Sequence, residues 1–122
     1  MQLRTNWSLI AVALLAFRAD ADGTAWDLES VPLKPDIYLL QRPEPLRQPV
    51  EGNVLVIVNE RDVVVFEGGG MPIAADNAIR LIRSITSKPV SHLVNSHWHG
   101  DHNLGNQVYR AEYPGITIIA HP

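Results

Sequence analysis

The sequence predicts a layered α/β domain, and three observations lead to this prediction. Runs rich in β-branched apolar residues alternate with segments whose apolar residues recur at helical spacing. Turn-forming residues separate these runs, which gives the order strand, hairpin, helix, strand, helix, strand. The chain has 122 residues, 46% of them hydrophobic, which is enough for one small domain at most.

The first 21 residues are typical of a secretory signal peptide. Arg4 precedes an apolar run over residues 7–17, and Ala19 and Ala21 supply small residues at a cleavage site. A signal peptide has an apolar core of roughly 7 to 15 residues, whereas a membrane-spanning helix needs about 20. We therefore expect cleavage after Ala21, export to the periplasm or the medium, and no membrane association afterwards. A membrane anchor or a buried helix is the alternative.

Residues 22–49 form a proline-rich N-terminal segment. Its prolines leave only Ile37–Leu40 free to form a strand. Because proline lacks the backbone donor that a sheet interior needs, we predict an edge strand between extended loops.

Residues 50–122 form the predicted domain, and it begins with a hairpin. Two β-branched runs, Asn53–Val58 and Asp62–Phe66, are joined by three polar residues. Both runs are nearly continuous in apolar residues. This pattern favours strands that are covered on both faces.

A glycine turn, Gly68–Gly70, precedes a predicted amphipathic helix. The apolar positions that fall at helical spacing are Ala78, Leu81, Ile82 and Ile85. The positions expected to face water are Asn77, Arg80 and Ser84. A strand over residues 90–95, a short helix over 105–113 and a last strand over 116–120 complete the domain.

Composition excludes several classes of function. The net charge is −3 and no Lys/Arg cluster is present, so we expect no nucleic-acid partner. The chain has no cysteine, which excludes disulfides, thiolate metal sites and cysteine nucleophiles. Any metal must therefore be bound by His, Asp or Glu.

Four potential metal ligands crowd into six residues directly after a predicted strand. They are His97, His99, Asp101 and His102. Nitrogen and oxygen ligands without thiolate suit Zn²⁺, with Fe or Mn as possible substitutes. The spacing allows one or two ions, and Asp101 could also accept a proton from a nucleophilic water.

This His-x-His-x-Asp-His run resembles the signature of the metallo-β-lactamase superfamily, and the resemblance extends from about Asp36 to Pro122. It implies an αββα sandwich of which this chain holds only the N-terminal half. It further implies that His97 and His99 bind a first metal and that Asp101 and His102 bind a second. Glu67 follows the second hairpin strand, where the family usually has an Asp.

The resemblance implies a zinc-dependent hydrolase in which a metal-activated hydroxide attacks a lactam, ester or related bond of a small-molecule substrate. Asp101 would hold and deprotonate the nucleophile. The family's remaining ligands lie in its other half, so we expect a truncated, weakly active or inactive fragment that needs a C-terminal half or a partner chain to complete the sandwich. The alternative is a non-catalytic metal-binding module that a partner chain completes.

Four further residues carry individual expectations. Trp98 is expected to pack beneath the loop from His97 to His102, the histidine loop. His92 is expected to be packed or hydrogen-bonded within its strand. His121 is expected at the surface. Glu67 is either a partner of a metal ligand or a polar strand end, and the sequence does not decide between these.

Overall fold

The computed structural model describes residues 26–43 and 50–122. The predicted signal peptide lies outside the described residues, as does part of the proline-rich segment. The strands are β1 (Glu29–Lys34), β2 (Ile37–Gln41), β3 (Val54–Val58), β4 (Val63–Phe66), β5 (Val90–Val94) and β6 (Thr117–Ile119). The helices are α1 (Pro72–Ile85), α2 (Gly100–Asn103) and α3 (Asn106–Glu112). The predicted mixed α/β fold is confirmed.

All six strands belong to one sheet, in which they lie side by side in chain order. The first four pair antiparallel, whereas β4, β5 and β6 pair parallel. Helix α1 connects β4 to β5, as a parallel pair requires. The carboxyl ends of these three strands therefore meet at one edge of the sheet, and the histidine loop starts there.

The N-terminal segment corrects one prediction. Ile37–Leu40 does form a strand, but β2 pairs with β1 on one side and β3 on the other. The edge strand is β1, which contains Pro32 and was not predicted. A proline is tolerated there because an edge strand leaves one row of backbone donors unpaired.

One face of the sheet, the core face, packs against the helices. A row of facing residues crosses it from β3 to β6: Val56, Val65, Leu93 and Ile118. The helix residues that complete this apolar core are Ala75, Ala78, Ile79 and Ile82 of α1 and Tyr109 of α3. Tyr109 is fully buried, and burial raises the pKa of its hydroxyl far above the ordinary value. This core holds the helices against the sheet.

The opposite face, the outward face, is also apolar but lies outside the core. One row of facing residues is Leu55, Phe66, Val94 and Ile119, and the next is Ile57, Val64, His92 and Thr117. Their side chains are half-buried or exposed. Within residues 26–43 and 50–122, the hairpin strands are therefore covered on one face only. The expectation of two covered faces is not met by this part of the chain.

Helix α1 matches its predicted position, but Asn77 does not face water. It is 6% exposed, and its side-chain amide donates a 2.9 Å hydrogen bond to the carbonyl of Trp26. The segment before β1 packs over this side of the helix, which the helical spacing alone could not indicate. Helix α3 also matches its prediction closely, whereas the single turn α2 was not predicted.

Candidate metal centre

The histidine loop begins where two parallel strands end together. Glu67 follows β4 and Ser96 comes two residues after β5, and the Glu67 N–H donates a 2.9 Å hydrogen bond to the Val94 carbonyl. Parallel pairing thus places the acidic residue after β4 directly beside the loop after β5. The sheet, rather than the loop itself, determines which side chains meet here.

Two backbone contacts fix the far end of the loop. The Gly68 N–H donates to the His102 carbonyl at 2.7 Å, and the Gly52 N–H donates to the Asp101 carbonyl at 2.9 Å. A Cβ on Gly52 would lie 2.5 Å from the Asp101 carbonyl oxygen and 3.0 Å from His102 Nδ1. Glycine is required at position 52 because the loop backbone approaches this closely.

The predicted ligands form one connected group. The ring centroids of His97 and His99 are 4.6 Å apart, and those of His97 and His102 are 4.2 Å apart. The Asp101 carboxylate oxygen Oδ2 lies 3.2 Å from His102 Nε2. His97 and His99 are exposed, whereas Asp101 and His102 are half-buried. The loop therefore brings three imidazoles and one carboxylate together at the sheet edge.

Glu67 contacts two parts of the loop. Its Oε2 lies 3.3 Å from His102 Nδ1, and its Oε1 accepts a 3.1 Å hydrogen bond from the Ser96 N–H. The Glu67 backbone has a φ of 70°, a left-handed conformation that residues other than glycine rarely adopt. This backbone turns the side chain toward the loop. Of the two expectations for Glu67, the structure favours a partner of a predicted ligand.

The donor atoms suit a cation, but they do not form a complete ligand set. Across residues 26–43 and 50–122, no three His, Asp or Glu side chains are arranged to hold a metal ion. Asp101 and His102 instead contact each other. His102 Nδ1 and Glu67 Oε2 are both buried. They lie 3.3 Å apart, which is longer than an ordinary hydrogen bond, and within this part of the chain neither makes another hydrogen bond. The donors are of the kinds that zinc prefers. Their positions, however, are set by contacts of His102 with Asp101 and Glu67.

A third carboxylate, that of Glu51, lies beneath the loop and was not identified from the sequence. Glu51 Oε1 accepts a hydrogen bond from the Gly70 N–H, and Oε2 is buried without a partner. Burial raises the pKa of Glu51, and the nearby Asp101 carboxylate adds to this, although the Gly70 hydrogen bond and the Arg42 charge oppose it. The carboxylates of Glu51, Glu67 and Asp101 therefore all lie near His102.

Trp98 does not pack beneath the loop, which makes that expectation wrong. Its side chain is 82% exposed, and its ring contacts His99 edge-on at a centroid distance of 4.6 Å. A groove of about 680 Å³ opens beside Trp98. The side chains that line it include His97, Asn103, Ile118 and His121.

The remaining histidines stand apart from the ligand group. His92 Nδ1 lies 2.8 Å from the Ser91 hydroxyl, so the expectation of a hydrogen-bonded strand residue is confirmed. His121 is exposed, as expected, and its Nδ1 lies 2.8 Å from the carbonyl of the next residue.

Comparison with known proteins gives one family. A sequence profile described as the metallo-beta-lactamase superfamily matches residues 47–122. No curated protein sequence matches the chain. Solved structures that resemble it include a metallo beta lactamase from Erythrobacter litoralis, with 19% identity and a TM-score of 0.64, which covers 79% of this chain and 42% of that chain.

Two further structures give a similar result. The metallo-beta-lactamase FIM-1 from Pseudomonas aeruginosa, in a mono-zinc form, is 16% identical with a TM-score of 0.61 over 77% of this chain and 42% of that chain. A metallo beta lactamase from Hirschia baltica is 17% identical, with a TM-score of 0.60 over 77% and 43%. The present chain spans less than half the length of these structures.

Proposed function

Because this chain belongs to the metallo-β-lactamase superfamily, we propose that it supplies one half of the metal centre of a zinc-dependent hydrolase. The observation that most directly supports this proposal is a group of four side chains at the sheet edge: His97, His99, Asp101 and His102. These side chains meet within one six-residue loop whose far end is hydrogen-bonded to Gly52 and Gly68, and the Ser96 N–H just before it donates to Glu67.

The proposed ligands divide into two pairs. His97 and His99 bind a first ion, and Asp101 and His102 bind a second. Asp101 Oδ2 lies 3.2 Å from His102 Nε2, and this proximity supports the assignment of these two side chains as the pair that would hold the second ion. Zinc at such a site polarises a carbonyl oxygen and makes water nucleophilic at neutral pH.

Glu67 orients His102, one member of the second pair. When its carboxylate accepts a hydrogen bond from His102 Nδ1–H, the lone pair of Nε2 is left free for a metal. Asp101 holds the attacking water and accepts its proton.

The proposed reaction is hydrolysis of a lactam, ester or related bond in a small molecule. The similar structures are described as metallo-beta-lactamases, one of them in a mono-zinc form, which supports this class of substrate. The groove of about 680 Å³ beside His97 and Trp98 is open enough to admit such a molecule. Export to the periplasm or the medium, proposed from residues 1–21, would expose the site to small molecules from outside the cell.

Metal content is the experiment that tests this proposal. We expect the purified chain without residues 1–21 to retain about one zinc or more after dialysis, and the His97→Ala/His99→Ala variant to retain less, because it keeps only the proposed Asp101/His102 pair. A His92→Ala/His121→Ala variant is the matched control, since it also removes two imidazoles but neither is in the ligand group. Equal zinc content in all three proteins would overturn the proposal.

The outward face favours a second candidate function. Its two rows of mostly apolar side chains lie outside the core within the described residues, so a non-catalytic metal-binding module completed by a partner chain would also explain them. A stable, metal-loaded dimer that hydrolyses no lactam, ester or thioester would favour this candidate over the enzyme.

A further inference from the structure

Two asparagines connect the ligand loop to the elements on either side of it. Asn95 directly follows β5, and Asn106 is the first residue of α3. Asn95 is only 6% exposed. Neither residue belongs to the His-x-His-x-Asp-His run.

Their side chains form a chain of hydrogen bonds that ends on a predicted ligand. Asn106 Nδ2 donates to Asn95 Oδ1 at 2.6 Å, and Asn95 Nδ2 donates to the His102 carbonyl at 2.9 Å. The same carbonyl accepts the 2.7 Å hydrogen bond from the Gly68 N–H. Both lone pairs of the His102 carbonyl are thus used, which leaves its peptide group little freedom to rotate.

The orientation of the Asn95 amide is determined by its neighbours. Rotating it by half a turn would face its oxygen toward the His102 carbonyl and its NH₂ toward the Asn106 donor, and both contacts would become repulsive. The Asn95 backbone is itself fixed, because its N–H donates a 2.9 Å hydrogen bond to the Ile119 carbonyl of β6. The sheet therefore determines the position of the amide, and the amide determines that of His102.

We propose that Asn95 and Asn106 are positioning residues that hold His102 in place as a metal ligand before any metal is bound. The proposal rests on the proposed function for the metal itself. It adds an explanation for the order of the loop: the amides of buried Asn95 and half-buried Asn106 link β5, β6 and α3 to the backbone of one proposed ligand. A loop with this support loses less conformational freedom when an ion binds.

The test uses Asn95→Asp. The carboxylate still accepts the hydrogen bond from Asn106 Nδ2, so that contact is kept, but an oxygen now faces the His102 carbonyl where a donor stood. Gln107→Glu is the matched control, because it makes the same change of amide to carboxylate at an exposed position of α3, next to Asn106. We expect the zinc affinity of Asn95→Asp, measured by competition with a chromophoric chelator, to fall about tenfold. That of Gln107→Glu should stay unchanged.

Two further readouts separate positioning from general stability. The visible spectrum of the Co²⁺-loaded protein should change in Asn95→Asp and not in Gln107→Glu, because only the former alters the ligand geometry. In the metal-free protein, hydrogen exchange of the Gly68 amide should accelerate in Asn95→Asp alone. If Asn95→Asp does not fold, Asn106→Ala replaces it, and the same changes are expected in weaker form because Asn95 Oδ1 then lacks its donor.

These experiments test the positioning role of Asn95 and Asn106 separately from the proposed function. Unchanged zinc affinity and spectrum in a folded Asn95→Asp protein would overturn it. If the unmodified chain binds no zinc, the proposed function fails, and hydrogen exchange alone decides the inference. In that case faster exchange at Gly68 supports the positioning of His102, and unchanged exchange refutes it.

Discussion

Glu67 shows how a single side chain can replace the shorter acid that the family usually has at this point. Its additional methylene is accommodated by a left-handed backbone, and its two oxygens reach the Ser96 N–H and His102 Nδ1. A carboxylate beside one ring nitrogen determines which nitrogen keeps a free lone pair. The longer acid therefore still contacts a predicted ligand directly.

The Glu67→Gln variant tests this role. The glutamine oxygen can still accept from the Ser96 N–H, but its NH₂ group donates to His102 Nδ1 and shifts the ring proton to Nε2, where a metal would bind. We expect zinc affinity to fall about tenfold or more, measured by chelator competition. Glu60→Gln, at an exposed position of the hairpin turn, is the control. Equal affinities for the two variants would show that Glu67 does not orient the ring.

Glu51 gives a prediction for the dependence of stability on pH. Burial raises its folded-state pKa above the ordinary 4.5, so ionisation at higher pH opposes folding. Below that value Glu51 is protonated in both states and its destabilising effect is absent. We expect metal-free Glu51→Gln to match the unmodified chain near pH 4 and to melt at a higher temperature by about pH 7. A melting-temperature difference that does not change with pH would contradict this.

At the residue scale, the sequence singled out the four residues that we propose as ligands, and Glu67 as one candidate partner, but not the other side chains around them. Four donors in a six-residue run can be recognised in isolation. Glu51, Asn95 and Asn106 reach the loop from separate elements, and no spacing between them indicates that they meet. Trp98 was placed wrongly for a related reason, since an exposed indole contradicts the usual preference of large apolar side chains for the interior.

At the scale of elements, the glycine turn and α3 approach each other closely. The Gly105 N–H donates a 2.9 Å hydrogen bond to the Gly69 carbonyl. A Cβ on Gly105 would overlap the Gly68 carbonyl oxygen and lie 2.8 Å from the Cβ of Ala75. This contact holds the glycine turn before α1 against the start of α3, which follows the histidine loop. The position of the loop therefore depends on it.

The Gly105→Ala variant tests that dependence. The added methyl group forces the turn and α3 apart, and we expect a loss of about 1 to 3 kcal/mol in the free energy of unfolding, measured by urea denaturation. Gly115→Ala is the control, because a Cβ there meets no atom within 4 Å, and it should change stability by less than about 0.5 kcal/mol. If the two variants lose equal stability, the close approach carries no structural role.

The elements that were predicted well have strong local patterns, and those that were missed depend on distant partners. The hairpin, α1 and β5 follow from β-branched runs and helical spacing. Strand β1 was missed because Pro32 argues against a strand unless the strand is known to lie at an edge. Asn77 was misplaced because the segment that buries it lies 51 residues earlier in the chain.

At the scale of the whole molecule, the described residues form a sheet with helices on one face. The outward face presents apolar side chains of four strands, with Ile119 47% exposed. The chain spans less than half the length of the structures it resembles. The predicted half of an αββα sandwich is consistent with both observations, and we expect the chain alone to associate through this face.

The Val64→Lys variant tests that association. Val64 lies in the middle of the outward face, so a lysine there introduces a charge without disturbing the core. We expect sedimentation velocity to show less self-association than for the unmodified chain. Ile73→Lys, at an exposed position of α1 on the helix side of the sheet, adds the same charge away from the outward face and should leave association unchanged. Equal sedimentation of all three proteins would show that the outward face is not the contact.

The central claim is that the loop from His97 to His102 is a metal centre, and X-ray absorption at the zinc edge tests it most directly. For the zinc-loaded chain we predict nitrogen and oxygen neighbours at about 2.0 to 2.2 Å, together with the outer-shell scattering of imidazole rings. That imidazole scattering should weaken in His97→Ala/His99→Ala, in which His102 is the remaining imidazole among the proposed ligands. A spectrum with oxygen neighbours only, or one that is identical in the variant, would contradict the account.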